Sequence, residues 1–217
     1  MFIIENYIVA VFFCIITMLC WGSWANTQKL AASSWRFELF YWDYVVGIVL
    51  TALIFAFTLG SFGEGGRSFV QDLEQASAPN IGSAVLGGVI FNAANILLVA
   101  AIALAGMSVA FPVGIGLALV IGVVVNYLDN PVGDSTLLFL GVGLVAAAIL
   151  LNAYAYRSAA RHRQGVSTRG LLLSVIAGVL MGYFYKYVAA SMFADFNLPE
   201  AGKLSPYTAV AMFSIGI

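Results

Sequence analysis

The sequence has 217 residues, of which 62% are hydrophobic and only 9% are charged, and its formal net charge is -1. A chain of this composition has too little polar surface to cover a water-soluble core, so we predict an integral membrane protein. The near-neutral charge and the absence of an extended basic face exclude nucleic acid as an expected partner.

Apolar runs long enough to cross a bilayer as a helix, which takes about 20 residues, occur six times. We predict these spans at 7–25, 39–59, 81–105, 109–128, 137–156 and 171–194. A seventh run, 207–217, gives about 16 Å of helix, which is too short to cross about 30 Å of hydrocarbon. The sequence therefore predicts an all-α helical bundle of six complete transmembrane helices plus a truncated seventh. We expect a fragment of a longer protein; the alternative is a short or partner-completed protein.

The first and sixth spans end in a similar way, with a glycine, aromatic residues and then polar atoms at membrane depth. The endings read Trp21-Gly22-Ser23-Trp24 and Gly182-Tyr183-Phe184-Tyr185-Lys186. Because five spans separate them, a second copy of a five-helix unit would begin on the opposite membrane face, as in a 5+5 inverted-repeat transporter. We predict a first repeat over 1–156, a basic linker over 157–170 and an incomplete second repeat over 171–217.

Basic residues in the loops predict the orientation of the chain. With the N-terminus outside, six of them lie in the cytoplasm and two lie outside, which is the distribution that the positive-inside rule favours. The six are Lys29, Arg36, Arg157, Arg161, Arg163 and Arg169, and the two are Arg67 and Lys203. We therefore predict a multi-pass protein of the cell membrane whose basic 157–169 loop is cytoplasmic.

A polar stretch between the second and third spans carries Phe69, Val70 and Leu73 at helical spacing. Apolar residues on one face of an otherwise polar segment are typical of a helix that lies in the membrane interface. We predict a short interfacial helix within 67–76.

Polar side chains inside apolar spans are the best functional indicators, because each costs up to about 2.5 to 3.5 kcal/mol at a helix centre without a partner or a wet cavity. Trp21, Trp24 and Gln28 are spaced i, i+3, i+7, so they present two rings and an amide on one face. The alternative is an aromatic belt at the interface. Asp43, about one turn inside the second span, is a candidate proton carrier or an interfacial acid with an aromatic collar.

Two further polar positions lie in the third and sixth spans. Asn92 and Asn95, spaced i, i+3, either hold helices together or bind solute hydroxyl and amide groups. Lys186 either snorkels toward the membrane surface or directs its ammonium into a cavity, as a counter-ion to Asp43 or a ligand for solute oxygen atoms.

Enzymatic chemistry is not expected from this sequence. His162, the single histidine, lies in the basic linker, and no predicted span pairs a nucleophile with a base or with metal ligands. We predict neither catalytic residues, nor a metal site, nor a cofactor.

Short motifs in the first four spans resemble the drug/metabolite transporter superfamily, with ureide permeases and bacterial glucose/ribose and rhamnose porters as the nearest families. They are Trp21-Gly22-Ser23-Trp24, Tyr41-Trp42-Asp43-Tyr44, Thr58-Leu59-Gly60, Gly87-Gly88 with Asn95, and Val120-Ile121-Gly122 leading to Asn126-Tyr127. The resemblance implies ten spans in two inverted repeats around a central solute site, with uptake coupled to protons in many members. It also implies cavity positions for Trp24, Tyr41, Asp43 and Asn95, whereas Lys186 matches no motif.

The expected function is therefore that of a secondary active transporter, or permease, which moves a small polar metabolite such as a sugar or a ureide with proton coupling. The expected partners are the solute, the lipid bilayer and protons. Solute-binding roles are predicted for Trp21, Trp24, Gln28, Tyr41, Asn92, Asn95 and Lys186, and proton coupling for Asp43. The alternatives are a drug or metabolite exporter of the same superfamily and a non-transporting scaffold subunit.

Overall fold

The structure, a computed structural model, describes residues 1–31, 35–159, 167–196 and 198–217. Within these ranges eight helices follow one another: α1 (Tyr7–Ala31), α2 (Phe37–Phe57), α3 (Phe69–Gln75), α4 (Ala78–Ala105), α5 (Met107–Asp129), α6 (Ser135–Ala159), α7 (Thr168–Ser191) and α8 (Pro206–Gly216). Six of them, all except α3 and α8, are long and apolar enough to cross a membrane. The predicted all-α membrane fold with six complete spans is confirmed.

Polar caps and a glycine set the helix boundaries. The Asn6 side chain accepts a hydrogen bond from the Ile8 amide at 2.9 Å, and the Asp134 side chain accepts one from the Thr136 amide at 2.8 Å. Such side chains satisfy amides that have no partner in the first turn of a helix, so α1 and α6 begin there. Gly106, whose φ of +82° favours glycine, separates α4 from α5.

The chain divides into two compact units. Unit 1 comprises Met1–Asn80 and Met192–Ile215, which include α1, α2, α3 and nearly all of α8. Unit 2 comprises Ile81–Ser191 and Gly216–Ile217, which include α5, α6, α7 and most of α4.

Glycines allow very close packing of α5 and α7 in unit 2. A Cβ atom at Gly178 would lie 2.6 Å from the carbonyl oxygen of Gly114, and one at Gly182 would lie 2.7 Å from Cβ of Ile121. Real side-chain carbons are not found at such distances, so the two backbones meet where only glycine fits. We call the contact around Gly114, Gly178 and Gly182 the glycine seam.

The opposite face of α7 packs against α4, and a polar contact and an aromatic contact are among those that join them. The hydroxyl of Ser83 donates a hydrogen bond to the carbonyl of Tyr187 at 2.7 Å. The rings of Phe91 and Phe184 meet edge to face with their centroids 5.1 Å apart. These contacts place α7 between α4 and α5 within unit 2.

The short helix α3 lies within the predicted range 67–76. Phe69 and Asp72 are buried, and the Phe69 ring meets Phe57 with centroids 5.0 Å apart, whereas Val70 is 49% exposed. The buried side of α3 therefore holds an ion-paired carboxylate as well as an aromatic ring, and the interfacial role of the helix stays a prediction. A hydrophobicity pattern does not anticipate a buried acid.

Candidate functional site

Aromatic rings from α1 and α2 stack in unit 1. The Trp24 ring lies on the Tyr44 ring with centroids 5.9 Å apart and planes at 25°, and Tyr41 lies against Tyr44 at 5.7 Å and 45°. Offset stacking of this kind is favourable between π systems. Two predicted site residues are thus joined by Tyr44, a residue that the prediction missed. Its position three residues after Tyr41, on the same face of α2, was the available signal.

A groove of about 540 Å³ continues from this aromatic cluster of Trp24, Tyr41 and Tyr44. Tyr44 is part of the groove as well as of the cluster. The main lining side chains are Tyr44, Ile48, Thr51 and Phe55 of α2 and Val210 and Phe213 of α8. Such a volume is usual for a small-molecule pocket, and so is a largely apolar wall with a few hydroxyl groups. We call this feature the α2–α8 groove.

Asp43 lies on the same turn of α2 as the aromatic cluster. Its side chain is exposed, as is the neighbouring Trp42, and it is not among the groove's lining residues. On a helix, consecutive residues point about 100° apart, so Asp43 and Tyr44 occupy different faces. Trp21, one turn before Trp24 on α1, is half-buried. The side chain of Gln28 falls outside the described residues, as do residues 160–166 of the basic linker with His162.

The two asparagines lie on α4 in unit 2. The side-chain amide of Asn92 donates a hydrogen bond to the carbonyl oxygen of Ile217 at 2.6 Å. Asn95, one turn further along α4, is only 2% exposed. The Asn92 bond links α4 to the segment that follows α8, which is the helix-joining role of a membrane amide. Solute binding by the pair stays a prediction.

Lys186 forms an ion pair in unit 2. Its ammonium lies 3.0 Å from a carboxylate oxygen of Asp129, and the two side chains are 44% and 46% exposed. Asp129 is the last residue of α5, so the lysine reaches toward a helix end. The counter-ion in the structure is therefore Asp129, not Asp43 as one alternative supposed.

We expect Lys186→Met to change the free energy of unfolding by less than about 1 kcal/mol, because an ion pair this exposed gains little. A double-mutant cycle with Asp129→Asn, followed by denaturant titration in detergent, measures the coupling directly. A coupling above about 2 kcal/mol would contradict this expectation and would assign the pair a structural role.

A buried polar cluster in unit 1 was not predicted as a functional feature. Asp72 is fully buried, and its carboxylate accepts hydrogen bonds from the Arg67 guanidinium at 3.0 Å and from the Ser205 amide at 2.7 Å. Arg67 also donates to the carbonyl oxygens of Glu200 and Lys203, at 2.8 and 3.2 Å. We call this arrangement the Arg67–Asp72 clasp.

Gln75 also takes part in the clasp, and its side-chain amide donates to the Asp72 carboxylate at 3.3 Å. Its side-chain amide donates to the carbonyl of Lys203 at 2.9 Å and accepts from the amide of Gly202 at 2.7 Å. The clasp therefore joins α3 to a loop more than 120 residues later in the chain. In the sequence, Arg67 and Asp72 are merely two charged residues five positions apart, so no local pattern identifies their partners.

Comparison with known proteins identifies the family of the chain. The sequence profile of the ureide permease family matches residues 40–169, which is more than half the chain and runs from α2 to the start of α7. The chain belongs to the ureide permease family. Together with the six apolar helices, this membership makes it a multi-pass membrane protein of a transporter family. The ureide permease part of the sequence resemblance is confirmed.

Two ureide permeases of Arabidopsis match a larger share of the chain than the family profile does. Ureide permease 4 and ureide permease 2 of Arabidopsis thaliana are 31% and 30% identical over 163 residues, which is 73% of this chain and 41% of each relative. Probable ureide permease A3 of Vigna unguiculata is 34% identical over 115 residues, or 51% of this chain and 31% of that protein. The chain thus spans about two fifths of the length of the Arabidopsis relatives it matches. No solved structure matches the chain.

Proposed function

We propose that this chain belongs to a secondary transporter that carries a ureide across the membrane. The observation that carries the proposal is the ureide permease family match over residues 40–169. The match includes all the α2 residues that line the groove, with Tyr44 among them. The site residues of the proposal are the aromatic cluster and the α2–α8 groove.

The chemistry of a ureide suits the aromatic cluster and the side chains that line the α2–α8 groove. A ureide contains a planar urea group with N–H donors and a carbonyl acceptor. Its flat face stacks on rings such as Trp24 and Tyr44, and its polar edges pair with hydroxyl groups such as those of Tyr44 and Thr51. A groove of about 540 Å³ has room for a small cyclic ureide. A sugar is the second candidate, because pyranose faces also pack on aromatic rings.

The orientation in the membrane, the repeat boundaries and further solute contacts belong to the same proposal. The N-terminus lies outside the cell membrane and the basic 157–169 loop is cytoplasmic, in accordance with the distribution of Lys and Arg. Residues 1–156 form the first inverted repeat and residues 171–217 begin the second. Solute contacts by Trp21, Gln28, Asn92, Asn95 and Lys186 are the further site assignments of the proposal.

Uptake by vesicles that contain the purified protein, expressed from its intact gene, tests the transport assignment. We expect radiolabelled allantoin, a cyclic ureide, to enter these vesicles faster than protein-free vesicles and to be displaced by unlabelled hydantoin more strongly than by glucose. If the vesicles take up glucose but not allantoin, the solute would be assigned as a sugar and not as a ureide. Uptake of neither would contradict the transport assignment.

Replacement of Tyr44 tests the site. Tyr44→Leu keeps an apolar side chain but removes the stacked ring and the hydroxyl. We expect it to raise KM for allantoin about two- to tenfold, because an aromatic stack contributes about 0.5 to 1.5 kcal/mol. The matched control is Tyr154→Leu, at a tyrosine of α6 that is 75% exposed. Equal KM values for Tyr44→Leu and Tyr154→Leu would show that the groove does not bind the solute.

Proton coupling is assigned to Asp43 in this proposal. We expect Asp43→Asn to abolish accumulation driven by a pH gradient while sparing exchange of labelled for unlabelled solute, because an amide does not carry the proton. Glu64→Gln, which removes an exposed acid in the loop after α2, is the control. Accumulation that survives in Asp43→Asn would exclude Asp43 from coupling.

A further inference from the structure

The Arg67–Asp72 clasp holds the beginning of α8. Ser205 precedes Pro206, the first residue of α8, and its hydroxyl accepts a hydrogen bond from the Thr208 amide at 3.3 Å, as an N-cap does. The backbone amide of the same Ser205 donates to Asp72 at 2.7 Å. The N-cap residue of α8 is thereby tied to α3 by a charge-assisted hydrogen bond.

Arg67 fixes the carboxylate that makes this bond. Its guanidinium binds Asp72 and two carbonyl oxygens of the loop before α8, and it lies over the Phe193 ring at 5.7 Å from the centroid. A buried ion pair is an inefficient way to stabilise a fold, because desolvation offsets most of its attraction. It does fix geometry, since the planar guanidinium donates in a rigid fork.

The helix that the clasp holds forms one wall of the α2–α8 groove. Val210 and Phe213 lie one to two turns after the clasped Ser205 and face the α2 side chains across the groove. Near the same end, a Cβ atom at Gly60 would lie 2.7 Å from Cβ of Tyr207, so the chain after α2 touches the first turn of α8. The start of α8 is thus fixed by the clasp and by this close contact.

We propose that Arg67 and Asp72 are positioning residues for the solute: the pair sets the position of α8 and thereby the width of the groove, without touching the solute itself. This inference rests on the proposed function, because both take the α2–α8 groove to be the surface that binds the solute. In an active site a misplacement of about 1 Å can cost about 100-fold in rate, and we expect a displaced binding wall to lower affinity for the solute by the same loss of fit.

Asp72→Asn is the principal test variant. The asparagine oxygen still accepts from the Ser205 amide, but the charge that holds Arg67 is lost. Arg67→Lys is the second variant, since an ammonium keeps the charge and loses the fork that spans Asp72 and the loop carbonyls. Glu74→Gln removes an equal charge from an exposed position of the same helix, so it is the matched control.

Two measurements are made on each variant of the full-length protein. The first is the distance between spin labels at Leu50 on α2 and Ile215 on α8, both exposed and outside the groove lining, after Cys14 and Cys20 are replaced by serine. The second is the KM and maximal rate of allantoin uptake. We expect both clasp variants to broaden or shift the distance distribution and to raise KM about tenfold, with a maximal rate within about twofold of wild type. Glu74→Gln is expected to change neither.

The contrary results distinguish a failure of the positioning role from a failure of the proposed solute site. An unchanged distance distribution in both variants would overturn the positioning role. A changed distance with an unchanged KM would also overturn it, provided that Tyr44→Leu still raises KM. If Tyr44→Leu leaves KM unchanged as well, the groove is not the solute wall, and the proposed site fails together with the clasp's role in binding.

Discussion

Gly178→Leu is expected to prevent α5 and α7 from packing and to leave little correctly folded protein. The first carbon of any side chain at this position would lie 2.6 Å from the carbonyl oxygen of Gly114 and 3.1 Å from Cβ of Leu117. The nearest atom belongs to the backbone of a long helix, so it does not swing aside as a side chain does. Overpacking a core usually costs about 1 to 3 kcal/mol, and here we expect at least the upper value.

The matched control for this variant is Gly143→Leu in α6. A Cβ atom at Gly143 would meet no other described atom within 4 Å, so the same change in size and helix propensity occurs without a collision. Leucine is the better helix former, and we expect the control to match or slightly exceed wild type in stability. Denaturant titration of detergent-solubilised protein, followed by circular dichroism, measures both variants. Equal midpoints would show that α5 and α7 do not depend on the glycine seam.

Asp72→Leu is expected to be the most destabilising single change in unit 1. It leaves the Arg67 guanidinium without its counter-charge and the Ser205 amide without its acceptor, at a site where the carboxylate was fully buried. Breaking a buried pair from one side costs about 3 to 5 kcal/mol. The Arg67 side chain is 23% exposed, so water compensates part of the loss and we expect about 3 kcal/mol.

Replacement of both Arg67 and Asp72 distinguishes the effect of an unpaired buried charge from a simple loss of packing. The double variant Arg67→Met/Asp72→Leu no longer contains an unpaired charge, so it is expected to recover part of the stability that Asp72→Leu loses. Glu74→Leu, at an exposed position of α3, is expected to stay within about 0.5 kcal/mol of wild type. A double variant less stable than Asp72→Leu would contradict the argument from the unpaired charge.

The transmembrane helices could be predicted from the sequence because apolar length alone determines them. The span predicted at 109–128 is α5, Met107–Asp129, and its ends moved by no more than two residues. The span predicted to continue to 194 ends earlier, at Ser191, because the chain beyond it pairs with Leu204: Met192 forms an isolated bridge there, and the Phe193 amide donates to the Leu204 carbonyl at 3.3 Å. That contact is tertiary and has no local signal.

The candidate site was predictable only where local spacing determines it. Trp24 and Tyr41 were predicted because each lies in a run of aromatic residues inside an apolar span. The α2–α8 groove needs α8, which lies about 150 residues after α2, so spacing did not predict it. The Arg67–Asp72 clasp was missed for the same reason, since its bonds to Glu200, Lys203 and Ser205 join distant parts of the chain.

The clasp binds its loop entirely through main-chain atoms: the carbonyls of Glu200 and Lys203 and the amides of Gly202 and Ser205. Its bonds to the loop therefore survive side-chain exchanges within the loop that keep the path of the backbone, except exchange of Gly202 or Ser205 to proline, which has no amide hydrogen. Gly202 is constrained because its φ of +79° disfavours other residues. Natural variants of this protein are thus expected to keep Arg67 and Asp72, which make these bonds, and Gly202, whose backbone conformation disfavours other residues.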